Sequence, residues 1–242
     1  MSGIVIEKLT KQYKDVLAVD NLSLTVEKGE LCSLLGINGA GKTTTVKMLS
    51  CLTAPTSGDA TLLGKSILTD ISDVKSFISV SPQETAIAPA LTVLENLELM
   101  AGVHGFNKAK REAKIAELSE LLGLSEVINR RAGKLSGGWQ RRLSIAMALI
   151  SEPKILFLDE PTLGLDVIAR GELWDIIRSL KGKVTVILTT HYMEEAEELS
   201  DRIAIMRNGR LLICDTPEKI KEISGCDRLA DAFIRFVKGE VK

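Results

Sequence analysis

The chain has 242 residues, 45% hydrophobic and 26% charged. That composition excludes intrinsic disorder, collagen-like and coiled-coil chains, and it predicts one large or two small globular domains. With 31 Lys+Arg against 32 Asp+Glu the formal charge is -1, so no global basic excess draws the chain to nucleic acid or anionic lipid, and no nucleic-acid partner is expected.

Cys32, Cys51, Cys214 and Cys226 are scattered without a CxxC pair, and only His104 and His191 stand beside them, which argues against disulfide and zinc frameworks. The thiols are expected as small buried hydrophobes in a reducing compartment. The first residues lack the apolar stretch of a signal peptide, and no apolar run is long enough to span a bilayer. A cytoplasmic location is expected, with any membrane work anchored by another protein.

In chain order, Ile4 to Leu9, Leu22 to Val26 and Glu30 to Leu35 read as strands. Glu27-Lys28-Gly29 marks a tight turn between the last two and predicts an antiparallel piece early in the chain. Gly36-Ile37-Asn38-Gly39-Ala40-Gly41-Lys42-Thr43 follows the third strand, fits GxxxxGK[ST], and leads into a helix predicted over Thr44 to Leu52. Thr61 to Leu63 and Phe77 to Ser81 continue the strands. From Thr92 to Ser151 the apolar residues Leu94, Leu97, Ala101, Ile115, Leu118 and Leu122 recur at helical spacing, which predicts a helical insertion. Ile155 to Leu158, Thr185 to Leu188 and Arg202 to Met206 are further strands, the last followed by the hairpin signal Asn208-Gly209. The tail from Thr216 predicts two short helices, the second built on Leu229, Ala232, Phe233 and Phe236. Strands alternating with helices give an α/β fold with a mainly parallel sheet.

The Gly36–Thr43 loop is a phosphate cradle. Its glycines let successive N–H groups turn inward, and the helix behind it adds a partial positive charge. Lys42 is expected to reach the β- and γ-phosphates and Thr43 to offer its hydroxyl to Mg²⁺. Asp159 and Glu160 end an apolar strand. Acids there often only cap the next turn, but beside a phosphate loop Asp159 is placed for the Mg²⁺ water shell and Glu160 for polarising an attacking water.

Leu135-Ser136-Gly137-Gly138-Trp139-Gln140-Arg141-Arg142 lies between these two motifs. The combination resembles the ATP-binding cassette family over nearly the whole chain. With Asp159-Glu160-Pro161-Thr162-Leu163-Gly164-Leu165-Asp166 it is most similar to stand-alone cassettes of bacterial ABC-2-type exporters. The resemblance implies a P-loop NTPase core with an N-terminal antiparallel β subdomain and an inserted α-helical subdomain. One domain, 1–242, is then divided into an α/β core (1–83 and 152–215), a helical signature subdomain (84–151) and C-terminal helices (216–242). It implies ATP and Mg²⁺ as ligands and ATP hydrolysis that powers a membrane transporter through closure of a cassette dimer, homo- or heteromeric. Its other partners are then polytopic membrane subunits, and its place is the inner face of the cell membrane. A soluble cassette ATPase of iron–sulfur cluster assembly fits the same length, and co-purification with a polytopic membrane protein separates the two.

Residue by residue, the resemblance implies nucleotide contacts from Gly36, Ile37, Asn38, Gly39, Ala40, Gly41, Lys42, Thr43, Thr44 and Asp159, with Tyr13 stacked on adenine. Thr43, Asp159 and Gln83 then serve Mg²⁺, and Gln83 and His191 sense the γ-phosphate beside Glu160 and Lys42. Ser136, Gly137 and Gly138 reach the nucleotide of the opposite chain, with Asp166 at the seam. This sequence departs from the family at Trp139, which displaces Gln140 by one position, and at Leu163, where many relatives carry Ser. Glu194, Glu195, Glu197 and Glu198 read as a solvated helix face, and Lys108, Lys110, Arg111 and Lys114 as mixed surface charge. Thr85 to Leu91, apolar and containing Pro89, predicts a loop exposing hydrophobic groups where a membrane subunit docks; the alternative is that Ile87 and Leu91 only pack the insertion onto the core.

Overall fold

A computed structural model describes residues 2–241; the two end residues of the expected 1–242 domain lie outside them. Among the described residues two sheets carry the fold. Four antiparallel strands are ordered β2-β1-β4-β5: β1 (Ser2–Tyr13), β2 (Val16–Glu27), β4 (Ser57–Leu62) and β5 (Lys65–Ser66). Six strands are ordered β10-β9-β3-β8-β7-β6: β3 (Leu31–Leu35), β6 (Ile78–Ser81), β7 (Ile155–Asp159), β8 (Thr185–Thr190), β9 (Arg202–Arg207) and β10 (Arg210–Asp215). All its neighbours are parallel except β9 and β10, whose hairpin turns at Asn208 and Gly209, both at positive φ.

The Glu27-Lys28-Gly29 turn does not fold its flanking strands onto each other. It hands the chain from one sheet to the other, and the antiparallel partner of β2 is β1. A tight turn reverses the chain locally without specifying the sheet that receives it.

Helix α1 (Lys42–Leu49) lies between the sheets, with Val46, Met48 and Leu49 buried among residues from both. It ends earlier than predicted; Cys51 takes a positive φ and Leu52 is exposed. The pleat divides the core as period-two patterning requires. Ile155 and Phe157 of β7 and Ile187 of β8 face α1, while Leu156, Leu158, Val186 and Leu188 face a second core. Helix α2 (Ile71–Phe77) leads into β6, and the second core is capped by α3 (Val93–Val103), α4 (Lys108–Leu121), α5 (Gly137–Leu149) and α6 (Val167–Ser179). The C-terminal helix α9 (Leu229–Lys238) buries Leu229, Ala232, Phe233 and Phe236 in one cluster with Ile203 and Ile205 of β9, to which α8 (Pro217–Ser224) adds Ile220.

Two further expectations change. Ile87 and Leu91 are half-buried, and Ile87 packs on the helical core, so the 85–91 loop does not present them to solvent as expected. Its register is held instead by Asn96, which exchanges hydrogen bonds with the backbone of Ala88. Of the four cysteines only Cys32 is fully buried; all four are free thiols.

Candidate functional site

In an open α/β sheet the crevice at the carboxyl ends of the parallel strands is where ligands bind. Here β3, β6, β7 and β8 lie side by side and point the same way, so the residues that follow each strand meet. Gly36 to Lys42 follow β3, Gln83 follows β6, Glu160 follows β7 and His191 follows β8. Asn38, Gly39, Ala40, Gly41, Lys42, Thr43, Thr44, Gln83, Glu160 and His191 line one cleft of about 600 Å³, bordered by Val16, Leu17 and Ala18.

The loop needs its glycines. Gly41, at φ 101, caps α1, and a Cβ there would stand 2.5 Å from the Ala18 carbonyl. At Gly36 it would stand 2.6 Å from the Met206 carbonyl. No side chain caps α1, so its first N–H groups are left for an anion. Ile37 is exposed on the loop.

Lys42, buried, donates from Nζ to the Gly36 carbonyl at 2.7 Å and pairs with Glu160 Oε1 at 3.2 Å. Glu160 Oε2 stands 2.8 Å from His191 Nδ1. Asp159 is buried and accepts from Thr43 Oγ1 at 3.1 Å and from the Thr189 hydroxyl. Glu160 has φ 49, a left-handed conformation that costs a non-glycine residue about 1–2 kcal/mol. Its N–H is held by the Thr189 carbonyl at 3.1 Å and by Thr189 Oγ1 at 3.0 Å.

Other predicted residues lie outside this cleft. Ser136 is exposed at the N-cap of α5, with its hydroxyl not spent on capping the helix. Ser136 and Gly138 line a separate depression beside Trp139, whose ring lies 4.8 Å from the Arg142 guanidinium; Arg142 in turn pairs with Glu172. Gly137 borders a third hollow next to Leu163, which is exposed. Gln140 turns inward and donates to the Ala132 and Leu135 carbonyls at 3.1 and 3.2 Å, so its amide braces its own subdomain. Asp166 is exposed and caps α6 through the Ala169 N–H at 2.9 Å. Tyr13 closes the β1–β2 turn opposite Val16, its exposed ring 5.0 Å from Lys11 Nζ.

Two residues near the site escape sequence reading. Glu195 is not part of a solvated face: it is fully buried in α7 (Met193–Leu199), accepting from Thr162 Oγ1 at 2.7 Å and Trp174 Nε1 at 3.1 Å. Burial pushes its carboxyl above the usual range. Glu194 and Glu198 are exposed as expected. Arg141, also buried, sits among backbone carbonyls next to Gln83 and Glu160. A weak signal exists for each: Arg141 lies one turn before the buried Ile145 and Glu195 one turn before the buried Leu199, on helix faces where a charge is out of pattern.

A family model described as ABC transporter matches residues 19–163. The Nod factor export ATP-binding protein I of Rhizobium etli is 42% identical over 230 residues, covering 94% of this chain and 72% of that protein. The daunorubicin/doxorubicin resistance ATP-binding protein DrrA of Streptomyces peucetius is 40% identical over 229 residues, covering 93% and 69%. The phospholipid-transporting ATPase ABCA3 of Homo sapiens is 41% identical over 229 residues, but this chain spans only 13% of its length. A solved ATP-binding subunit of an ABC transporter superposes with a TM-score of 0.85 at 26% identity, covering 96% of this chain and 98% of that one. A dimeric ATP-binding cassette in a post-hydrolysis state with ADP and Pi superposes at 0.79, also at 26% identity, covering 88% and 98%.

Proposed function

The chain belongs to the ABC transporter family and is an ATPase, and from that premise we propose that it is the ATP-hydrolysing subunit of a membrane exporter. The observation that carries the reading is the meeting of Lys42, Thr43, Asp159, Gln83, Glu160 and His191 at the ends of four adjacent parallel strands.

The phosphates of ATP lie on the α1 N-terminus and the loop N–H groups, and Lys42 exchanges its carbonyl contacts for charge-assisted bonds to phosphate oxygens. The residues fit Mg²⁺: one carboxylate, one hydroxyl and one amide are hard oxygen donors, and Thr43 already stands within hydrogen-bond distance of Asp159. A single carboxylate leaves room for phosphate oxygens and waters, as this cation prefers. Asp159, Thr43 and Gln83 would hold it, and it would neutralise charge on the β- and γ-phosphate oxygens. Glu160 takes the proton of the attacking water, while His191 fixes its second oxygen.

Ser136, Gly137, Gly138 and Asp166 lie outside the cleft of their own chain and complete that of a second cassette, in a homo- or heterodimer. Tyr13 supports adenine at the rim. The dimeric relative with ADP and Pi supports this arrangement. Residues 1–83 and 152–215 then form the nucleotide-binding core, 84–151 the signature subdomain and 216–242 the C-terminal helices. Polytopic membrane subunits provide the pathway, with the cassette on the inner face; among the described residues no helix is long and apolar enough to cross a membrane. The export function named for the Rhizobium relative and the drug resistance named for the Streptomyces one support this reading over a cluster-assembly ATPase.

Titrating Lys42→Ala with ATP tests the site. Removing a charge-assisted contact is expected to weaken binding by roughly 10- to 100-fold with the fold retained. Native affinity would place the nucleotide elsewhere.

A further inference from the structure

The guanidinium of Arg141 has five N–H donors, and each meets a backbone carbonyl. Nε donates to Pro161 at 2.6 Å, Nη1 to Pro82 at 2.5 Å and Gln83 at 3.3 Å, and Nη2 to Asp159 at 2.9 Å and Glu160 at 2.6 Å. No carboxylate oxygen is among these partners. The group is buried on α5, the helix that begins at Ser136, and burial pulls its pKa down to about 10. A buried cation spent wholly on neutral carbonyls is an expensive way to hold a loop, and two segments converge on it: the Pro82-Gln83 loop and the Asp159-Glu160-Pro161 stretch at the end of β7.

One of the five carbonyls belongs to a strained residue. Glu160 is held at φ 49 by Thr189 from its N–H side and by Arg141 from its carbonyl side. Backbone strain of this kind persists only where neighbours over-determine it. Rotation of that peptide would swing the carboxylate away from Lys42 and His191.

We propose that Arg141 is a positioning residue for hydrolysis: it locks Glu160 in its left-handed conformation and fixes the Gln83 loop relative to it, so that the signature helix governs where the catalytic carboxylate points. This rests on the reading of Glu160 as the base. It also makes any tilt of α5 mechanically felt at Glu160 within the same chain.

Arg141→Lys keeps the charge and much of the stem but has three donors on one nitrogen, which cannot reach five carbonyls in a planar fork. Arg141→Met keeps the length without the charge. Both are made in the full chain and again on Glu160→Gln, with ATP binding, melting temperature, kcat and KM measured. A carboxylate displaced by about 1 Å costs on the order of 100-fold, so kcat is expected to fall by that order in both variants, with ATP affinity and KM near native and no rescue by lysine. On Glu160→Gln neither substitution should slow the residual turnover further, because Arg141 acts through Glu160. Native kcat in Arg141→Lys, an equal fractional loss on both backgrounds, loss of ATP binding together with kcat, or failure of Arg141→Lys to fold would each overturn the proposal. If Glu160→Gln itself turns over at the native rate, it is the reading of Glu160 as the base that fails; if Glu160→Gln is slow and Arg141→Lys is not, the inference alone fails.

Discussion

His191 Nδ1 stands 2.8 Å from Glu160 Oε2, although the two residues are 31 positions apart and leave different strands. The contact exists because β7 and β8 are parallel neighbours in register, Asp159 opposite Thr189, so the residues just beyond them emerge together. With Lys42 on Oε1, both oxygens of Glu160 are held before any substrate arrives.

If His191 orients the base, His191→Ala leaves Glu160 paired on one side only. We expect kcat to fall by roughly 10- to 100-fold, within the range that general-base catalysis contributes, while equilibrium ATP binding stays near native. Native turnover in this variant would show that the contact is structural.

Ser136 and Gly138 face a depression distinct from the cleft that holds Lys42 and Glu160, and under the proposed arrangement each chain supplies two half-sites. Glu160→Gln protein with saturating Mg-ATP is expected to double its mass in sizing or sedimentation, and Ser136→Arg in the same background to remain single. A single-chain mass with ATP, both alone and beside the membrane complex, contradicts the two-chain site.

Glu195 makes a pH prediction. Burial raises its carboxyl above the ordinary 4.5, so between 4.5 and the raised value the folded chain holds a proton that the unfolded chain has released. Stability therefore falls as pH rises through that window and levels off above it, by at most about 1.4 kcal/mol per pH unit for one proton. Glu195→Gln keeps an oxygen for Thr162 and Trp174 and removes the titration. Its melting temperature relative to the native chain should climb with pH from 4.5 and then plateau. A gap independent of pH would mean that Glu195 does not titrate on folding.

Much of this site is legible in the sequence because it is built from local signals. Gly36 to Thr43 carry their own backbone geometry, and Asp159-Glu160 end an apolar run that can only be a buried strand. Pleat and pattern also agree at Phe157 and Ile187, whose alternation separates the two cores. What escapes is set by tertiary packing. The turn at Glu27 to Gly29 is recognisable, but not that it leads into another sheet. Ile87 reads as an exposed apolar group until the helical insertion folds against it. Glu195 reads as part of a solvated face and the burial of Arg141 is only weakly marked, since the assembled core alone brings five carbonyls to one and Thr162 and Trp174 to the other.

ATP binding and ATP turnover measured side by side in Glu160→Gln test the role of Glu160 most directly. The substitution keeps size and shape but removes the proton acceptor, so binding should match the native chain while hydrolysis slows at least about 100-fold, the scale of a lost general base. Unchanged hydrolysis, or loss of binding in step with turnover, would contradict the role given to Glu160 and with it the mechanism built around the cleft.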